Sequence, residues 1–158
     1  MTFLPPNGLL GSAEETAEIA MEIGRQLKPG DCILLEGGVG AGKTHFARSL
    51  IQHTLETPED VPSPTFTLVQ TYDGPICEIW HADLYRLSGP DEVIELGLID
   101  ALDDSICLIE WPDRLAELVP ENALTISLSM TPIEGQRQIS MSWKAKKWTD
   151  KLKGVTSV

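Results

Sequence analysis

The stretch Cys32-Ile33-Leu34-Leu35-Glu36-Gly37-Gly38-Val39-Gly40-Ala41-Gly42-Lys43-Thr44 decides how the rest of the chain is read. Its four opening residues form a continuous apolar run behind the turn signal Pro29-Gly30, the pattern of a strand buried on both faces. Gly37, Gly42, Lys43 and Thr44 then satisfy G-x-x-x-x-G-K-[ST]. Glycines let successive backbone N–H groups converge on an anion, and the N-terminus of the following helix adds partial positive charge. The segment Gly37, Gly38, Val39, Gly40, Ala41, Gly42, Lys43, Thr44 and His45 therefore predicts a phosphate-binding loop for a nucleotide with Mg2+. Lys43 is expected at the β and γ phosphates, and the Thr44 hydroxyl at the metal.

Outward from this loop, Phe46, Ala47, Leu50 and Ile51 share one face of a helix that should end before Pro58. Upstream, Ser12-Ala13-Glu14-Glu15 has the form of a capping box, and Ala20, Ile23 and Leu27 continue a helix over about 13–27. Residues 65–72 and 76–81 are rich in Thr, Val, Ile, Phe, Tyr and Trp and flank the turn signal Asp73-Gly74, so a strand pair is expected. Pro90 opens a further helix that Gly97 should close. The run Ile106-Cys107-Leu108-Ile109 predicts a central strand beside the first. Leu124, Ile126, Leu128 and Met130, and after Glu134-Gly135 Ile139, Met141 and Trp143, alternate with polar residues as the two arms of a hairpin. The fold class that follows is α/β: a P-loop NTPase-like mixed sheet with parallel central strands, antiparallel hairpins and flanking helices.

At 158 residues, with 42% hydrophobic and 23% charged, the chain has the length and composition of one globular domain. No apolar run approaches the roughly 18 residues of a membrane span, and the first residues lack the pattern of a signal peptide, so no membrane association and a cytoplasmic location are expected. Cys32, Cys77 and Cys107 are widely spaced within apolar stretches and are expected as reduced core residues. The net charge of −12 disfavours a nucleic-acid-binding surface as a whole. Its distribution is uneven: residues 1–143 carry seven basic against 23 acidic residues (−16), whereas 144–158 carry five lysines against Asp150 (+4). The chain is therefore divided into a single nucleotide-binding domain, 1–143, and a basic C-terminal tail, 144–158. The tail is expected as a solvated end able to fold back on the acidic body, the alternative being a contact with RNA or an acidic partner.

Nucleotide hydrolysis needs an acid at the C-terminal end of a neighbouring strand. Glu110 follows the run ending at Ile109, and Asp83 follows the strand ending at His81; both are candidates for the metal and the attacking water. Ser63, Pro64, Thr65, Phe66 and Thr67 lie in a loop with Pro58, Pro62 and Pro64, where a nucleotide switch or simply a rigid connector would sit. His81 is open between positioning water and a structural hydrogen bond. Trp80 and Trp111 flank these acids and read as core or partner-contact groups.

Four blocks in register carry a family resemblance: residues 37–44, Ser63-Pro64-Thr65-Phe66-Thr67-Leu68-Val69, His81-Ala82-Asp83-Leu84-Tyr85-Arg86-Leu87, and Ile106-Cys107-Leu108-Ile109-Glu110-Trp111. Together they resemble the bacterial TsaE family over about residues 12–143. The resemblance implies a small ATPase, weak alone, that joins TsaD and TsaB proteins in threonylcarbamoylation of tRNA adenosine 37 and touches tRNA only through that complex. It further implies Lys43, Asp83 and Glu110 as catalytic residues and Thr44, Glu110 and Asp83 at the magnesium. Residues 63–67 would form the switch loop, with Trp111 beside the nucleotide and Arg137 near the adenine. Gly38-Val39 and His45 depart from the residues usual at these positions in the family, without removing a phosphate ligand. Two other classes remain open on the residues alone: a small-molecule or nucleoside kinase, which should carry an arginine-bearing lid that is absent here, and a nucleotide-gated binding module.

Overall fold

In the computed structural model, residues 2–3, 8–55, 59–153 and 155 are described, and Pro58 lies outside them. The chain runs β1 (Thr2–Phe3), β2 (Leu9–Leu10), α1 (Ala13–Gly24), β3 (Cys32–Glu36), α2 (Lys43–Thr54), β4 (Val69–Asp73), β5 (Glu78–Asp83), α3 (Pro90–Glu95), α4 (Leu98–Asp104), β6 (Ile106–Glu110), a 3-10 segment (Pro112–Leu118), β7 (Leu124–Met130), β8 (Arg137–Ser142) and α5 (Lys146–Lys151). The strands form one sheet in the order β1-β8-β7-β3-β6-β5-β4, with β2 also paired to β8. Its centre, β5-β6-β3-β7, is parallel, and the flanking pairs β4/β5 and β7/β8 are antiparallel. This is the expected mixed α/β sheet.

Strand alternation divides the apolar residues between two cores. Ile33, Leu35, Ile106 and Leu108 pack with α1 and α2 through Ile19, Ile23, Phe46 and Leu50. Cys32, Leu34, Cys107 and Ile109 pack on the other face against Val93, Leu98 and Leu115. Burial on both faces explains why β3 and β6 read as unbroken apolar runs. Cys32 and Cys107 are register partners in this centre, and burial pushes the Cys107 thiol up to about 12. Cys77 departs from the expectation, being only partly buried at the rim of the first core.

The differences from the sequence reading are local and have local causes. α1 stops at Gly24, since Gln26 and Leu27 bond to carbonyls three residues back and tighten the chain before Pro29. Ser12 caps the Glu15 N–H, but Glu15 reaches back to the N–H of Gly11 rather than to that of Ser12. The strand expected from residue 65 begins only at Val69. Residues 65–68 turn instead, closed by the Leu68 N–H on the Pro64 carbonyl at 2.7 Å with Leu68 at φ 70°. Gly97, at φ 80°, ends α3 as expected and leads directly into α4, a helix the sequence reading lacks.

The lysine-rich segment after Trp143 is not a solvated end over its described part. α5 docks on the body: the Trp148 ring is wholly buried, its indole N–H donates to the Asn122 carbonyl at 2.7 Å, and Leu152 and Val155 join the core beneath α1 and α2. Lys147 and Lys151 both pair with buried Asp31, at 2.7 and 2.8 Å. The fold-back on an acidic partner within the body is therefore present, through one carboxylate.

Candidate functional site

The loop between β3 and α2 is shaped by backbone that side chains would obstruct. Gly37 has φ 149°, and a Cβ there would stand 2.4 Å from the Leu128 carbonyl oxygen on β7. Gly42, at φ 105°, turns the chain into α2, whose first N–H groups receive no side-chain cap. A helix N-terminus with uncapped donors is an anion site by construction. Val39, by contrast, projects into solvent.

Lys43 folds back under this loop. Its ammonium donates to the carbonyls of Gly37 (2.6 Å) and Gly38 (2.8 Å) and lies 4.1 Å from the centroid of the Trp111 ring. Burial holds its pKa below the ordinary lysine value, and the nearby carboxylates Glu110 and Asp83 offset part of that shift. Trp111 itself is held at φ 58° and packs on Tyr85, ring centroids 4.7 Å apart. Tyr85 was not assigned a role from sequence; its place two residues after Asp83 was the available signal.

Parallel register brings the two acids together. Asp83 and Glu110 are partners at the C-terminal ends of β5 and β6, on the face that carries α2. Asp83 is the last residue of its strand rather than the first beyond it. Glu110 is 2% exposed and Asp83 4%, rare burial for carboxylates that no lysine or arginine is seen to pair with among the described residues. Glu110 accepts from the Thr44 hydroxyl at 2.8 Å and lies 2.7 Å from His81 Nε2. A carboxylate only accepts, so the Thr44 proton points at Glu110 and the hydroxyl lone pairs turn away from it. Asp83 accepts from the Tyr85 N–H at 2.9 Å and from the Thr65 hydroxyl at 3.2 Å.

That last bond ties residues 63–67 to the acids. Ser63 and Thr65 share a hydrogen bond of 2.7 Å, Arg86 donates to the Phe66 carbonyl at 2.8 Å, and the Phe66 ring is 81% exposed. Pro64 caps the turn just described, while Thr67 accepts from Gln70. On the other side, Arg137 at the start of β8 donates to the Ala41 carbonyl at 3.0 Å and pins the β7–β8 hairpin to the loop. His45 is bonded to the Ala13 carbonyl at 3.0 Å and faces the N-terminus of α1. Gly40, Gly42, Lys43, Thr44, His45, Glu110 and Arg137 enclose a cavity of about 320 Å3. A larger groove, about 480 Å3, lies between Leu34, Pro120 and Trp143, but no buried ionisable group lines it.

Contacts and register thus bring Lys43, Thr44, Thr65, Asp83, Glu110 and Trp111 together at one end of the sheet, whereas Trp80 packs in the second core. Among the described residues no group of three or more His, Cys, Asp or Glu side chains is gathered as a metal cage. The donor set is one hydroxyl and two carboxylates, hard oxygens of the kind that Mg2+ takes when phosphates complete its shell.

Comparison with known proteins places the chain in a family. The sequence pattern of the family described as threonylcarbamoyl adenosine biosynthesis protein TsaE matches residues 10–139. The tRNA threonylcarbamoyladenosine biosynthesis protein TsaE of Rickettsia bellii is 40% identical over 82% of this chain and 90% of its own length. That of Treponema pallidum is 36% identical over 83% of this chain and 96% of its own. The crystal structure of Bacillus subtilis YdiB superposes with a TM-score of 0.74 at 26% identity, over 98% of this chain and 93% of that one. With a family pattern spanning most of its length and relatives of this identity, the chain belongs to the TsaE family.

Proposed function

We propose that this chain is an ATPase of tRNA threonylcarbamoyladenosine biosynthesis, weakly active alone and stimulated in the cytoplasm by TsaD and TsaB partners. Family membership supports the pathway. The observation that carries the chemistry is the bond from Thr44 in the glycine loop to Glu110 at the end of β6, beside a buried lysine. The nearly complete burial of Glu110 and Asp83 supports the same reading, because carboxylates held this way have charge to spare for a cation.

On this reading the loop N–H groups and Lys43 bind the β and γ phosphates, Lys43 exchanging the Gly37 and Gly38 carbonyls for phosphate oxygens. Thr44, Glu110 and Asp83 would hold Mg2+, which when bound neutralises phosphate charge. Hydrolysis adds water to the γ phosphorus and breaks its bond to the bridging oxygen, giving ADP and inorganic phosphate. Asp83 accepts from the Tyr85 N–H at one oxygen and from the Thr65 hydroxyl, at 3.2 Å, at the other, so it would orient that water through the second oxygen once residues 63–67 move and Thr65 releases it. Arg137 and Trp111 border the nucleotide. Arg86, engaged by the Phe66 carbonyl, and Arg137, engaged by Ala41, form no lid of the kind a small-molecule kinase uses.

Release of inorganic phosphate from ATP, by the protein alone and with purified TsaD and TsaB, tests this. Partner stimulation lost in Lys43→Ala and in Glu110→Ala is expected, each variant falling by on the order of 100-fold. Absence of hydrolysis in every mixture would leave a nucleotide-gated binding module, and a phosphorylated metabolite formed in step with ADP would mean a kinase.

A further inference from the structure

His81 sits on β5 two residues before Asp83, with a relative exposure of 0%. Its register partner is Leu108, two residues before Glu110, so imidazole and carboxylate share one face of the sheet. Its Nε2 is 2.7 Å from Glu110 Oε2. The carboxylate can only accept, so this nitrogen carries the proton. Among the described residues Nδ1 has no partner, and a buried lone pair there costs less than a buried, unpaired N–H. The Thr44 hydroxyl meets the other carboxylate oxygen at 2.8 Å. The same hydroxyl lies 3.1 Å from Oε2, so the loop meets both oxygens of Glu110 and the sheet, through His81, holds Oε2 as well. Full burial also keeps His81 from solvent and so from an attacking water.

We propose that His81 is a positioning residue: its Nε2–H holds Glu110 in the orientation that receives the Thr44 proton, and so sets how tightly the loop binds a divalent cation with nucleotide. This rests on the ATP and magnesium reading above. The arrangement is that of outer-shell partners generally, which orient a metal's ligand without touching the metal. Without the imidazole, the Glu110 carboxylate is free to rotate away from Thr44, and the hydroxyl loses the acceptor that aims its lone pairs.

The test is calorimetric titration of the full chain with ATP over a series of Mg2+ concentrations and in EDTA, beside thermal unfolding. His81→Gln offers an amide N–H near the position of Nε2; His81→Leu fills the volume without a donor. His81→Leu is expected to raise the Mg2+ concentration for half-maximal enhancement by about 10–100-fold while metal-free ATP affinity is kept, and His81→Gln to return it to within about threefold of the natural protein. If both variants keep the natural Mg2+ dependence, whatever their melting temperatures, His81 is a structural core residue and the proposal is overturned. Should His81→Leu not fold, His81→Asn takes its place, since its shorter amide does not reach Glu110; a raised Mg2+ requirement there with rescue by Gln supports the proposal. Failure of the underlying reading looks different: the natural protein and Lys43→Ala would then bind ATP alike with and without Mg2+, and the role of His81 would fall with it.

Discussion

Two carboxylates are sunk at opposite ends of the same sheet, and they are satisfied in opposite ways. Asp31 precedes β3 and is 3% exposed, with two ammonium groups and the Lys28 N–H as its donors. Glu110 ends β6 and is 2% exposed, with a hydroxyl and an imidazole. A buried carboxylate saturated by ammonium groups has no appetite for a further cation and acts as an anchor. One held by a hydroxyl and an imidazole, with no ammonium group among its hydrogen-bond donors, suits a site where a cation arrives with its ligand. The difference teaches that burial alone does not mark function; the kind of partner does.

The comparison is broken most severely from beneath the anchor. Trp148 holds α5, and with it Lys147 and Lys151, against the body. Trp148→Ala should lower the unfolding free energy by about 3–5 kcal/mol through the cavity it leaves, measured by urea denaturation. If the loss is under about 1 kcal/mol, α5 is an accessory rather than part of the core.

A crossed pair of neutralisations sharpens it. Asp31→Asn should cost about 2 kcal/mol of stability at pH 7 and leave phosphate release intact, whereas Glu110→Gln should abolish phosphate release and change stability by under about 1 kcal/mol. The pH dependence separates them further. Burial alone would raise the Asp31 pKa, but bonds from Lys147, Lys151 and the Lys28 N–H outweigh it, so the carboxyl sits below its ordinary value. A depressed folded pKa means stability that is complete above the unfolded value, about 3.9, and lost as pH falls through the folded one. The gap between natural protein and Asp31→Asn should therefore be flat from neutral pH down to about 4 and close below it. A gap unchanged at pH 2 would mean that the charge contributes nothing.

The functional end was far more legible than the anchor. Strand, glycine loop and helix are consecutive, so periodicity and glycine spacing reveal them without knowledge of anything distant, and β6 announces itself as an apolar run ending in Glu110. Residues 65–68 misled because Thr and Phe suit a strand, while the actual turn depends on Leu68 at positive φ, steadied by its carbonyl accepting from the Asp83 N–H at 2.9 Å. That partner is fifteen positions away and invisible to local pattern. α4 was missed because seven residues give too short a period beside a glycine that reads as a stop. In the last segment Trp148, Leu152 and Val155 recur at helical spacing, yet the surrounding lysines made the stretch read as solvated. The pairing of Lys147 and Lys151 with Asp31 joins residues more than a hundred positions apart, which charge counting registers only as a sign.

The smallest effect divides the two lysines of the anchor. The Lys147 side chain is 33% exposed and that of Lys151 16%. Solvent and salt screen the more exposed ammonium more strongly, and Lys151 also donates to the Gln26 carbonyl at 2.8 Å, a bond that Lys147 has no counterpart to among those described. Lys147→Met should therefore cost under about 1 kcal/mol, and less again in high salt, while Lys151→Met should cost more and respond less to salt. Equal losses with equal salt dependence would show Asp31 to be held by a diffuse field rather than by two distinct bonds. In that case the contrast with Glu110 would rest on net local charge alone, and a single added lysine near the glycine loop should suffice to turn the functional carboxylate into a second anchor.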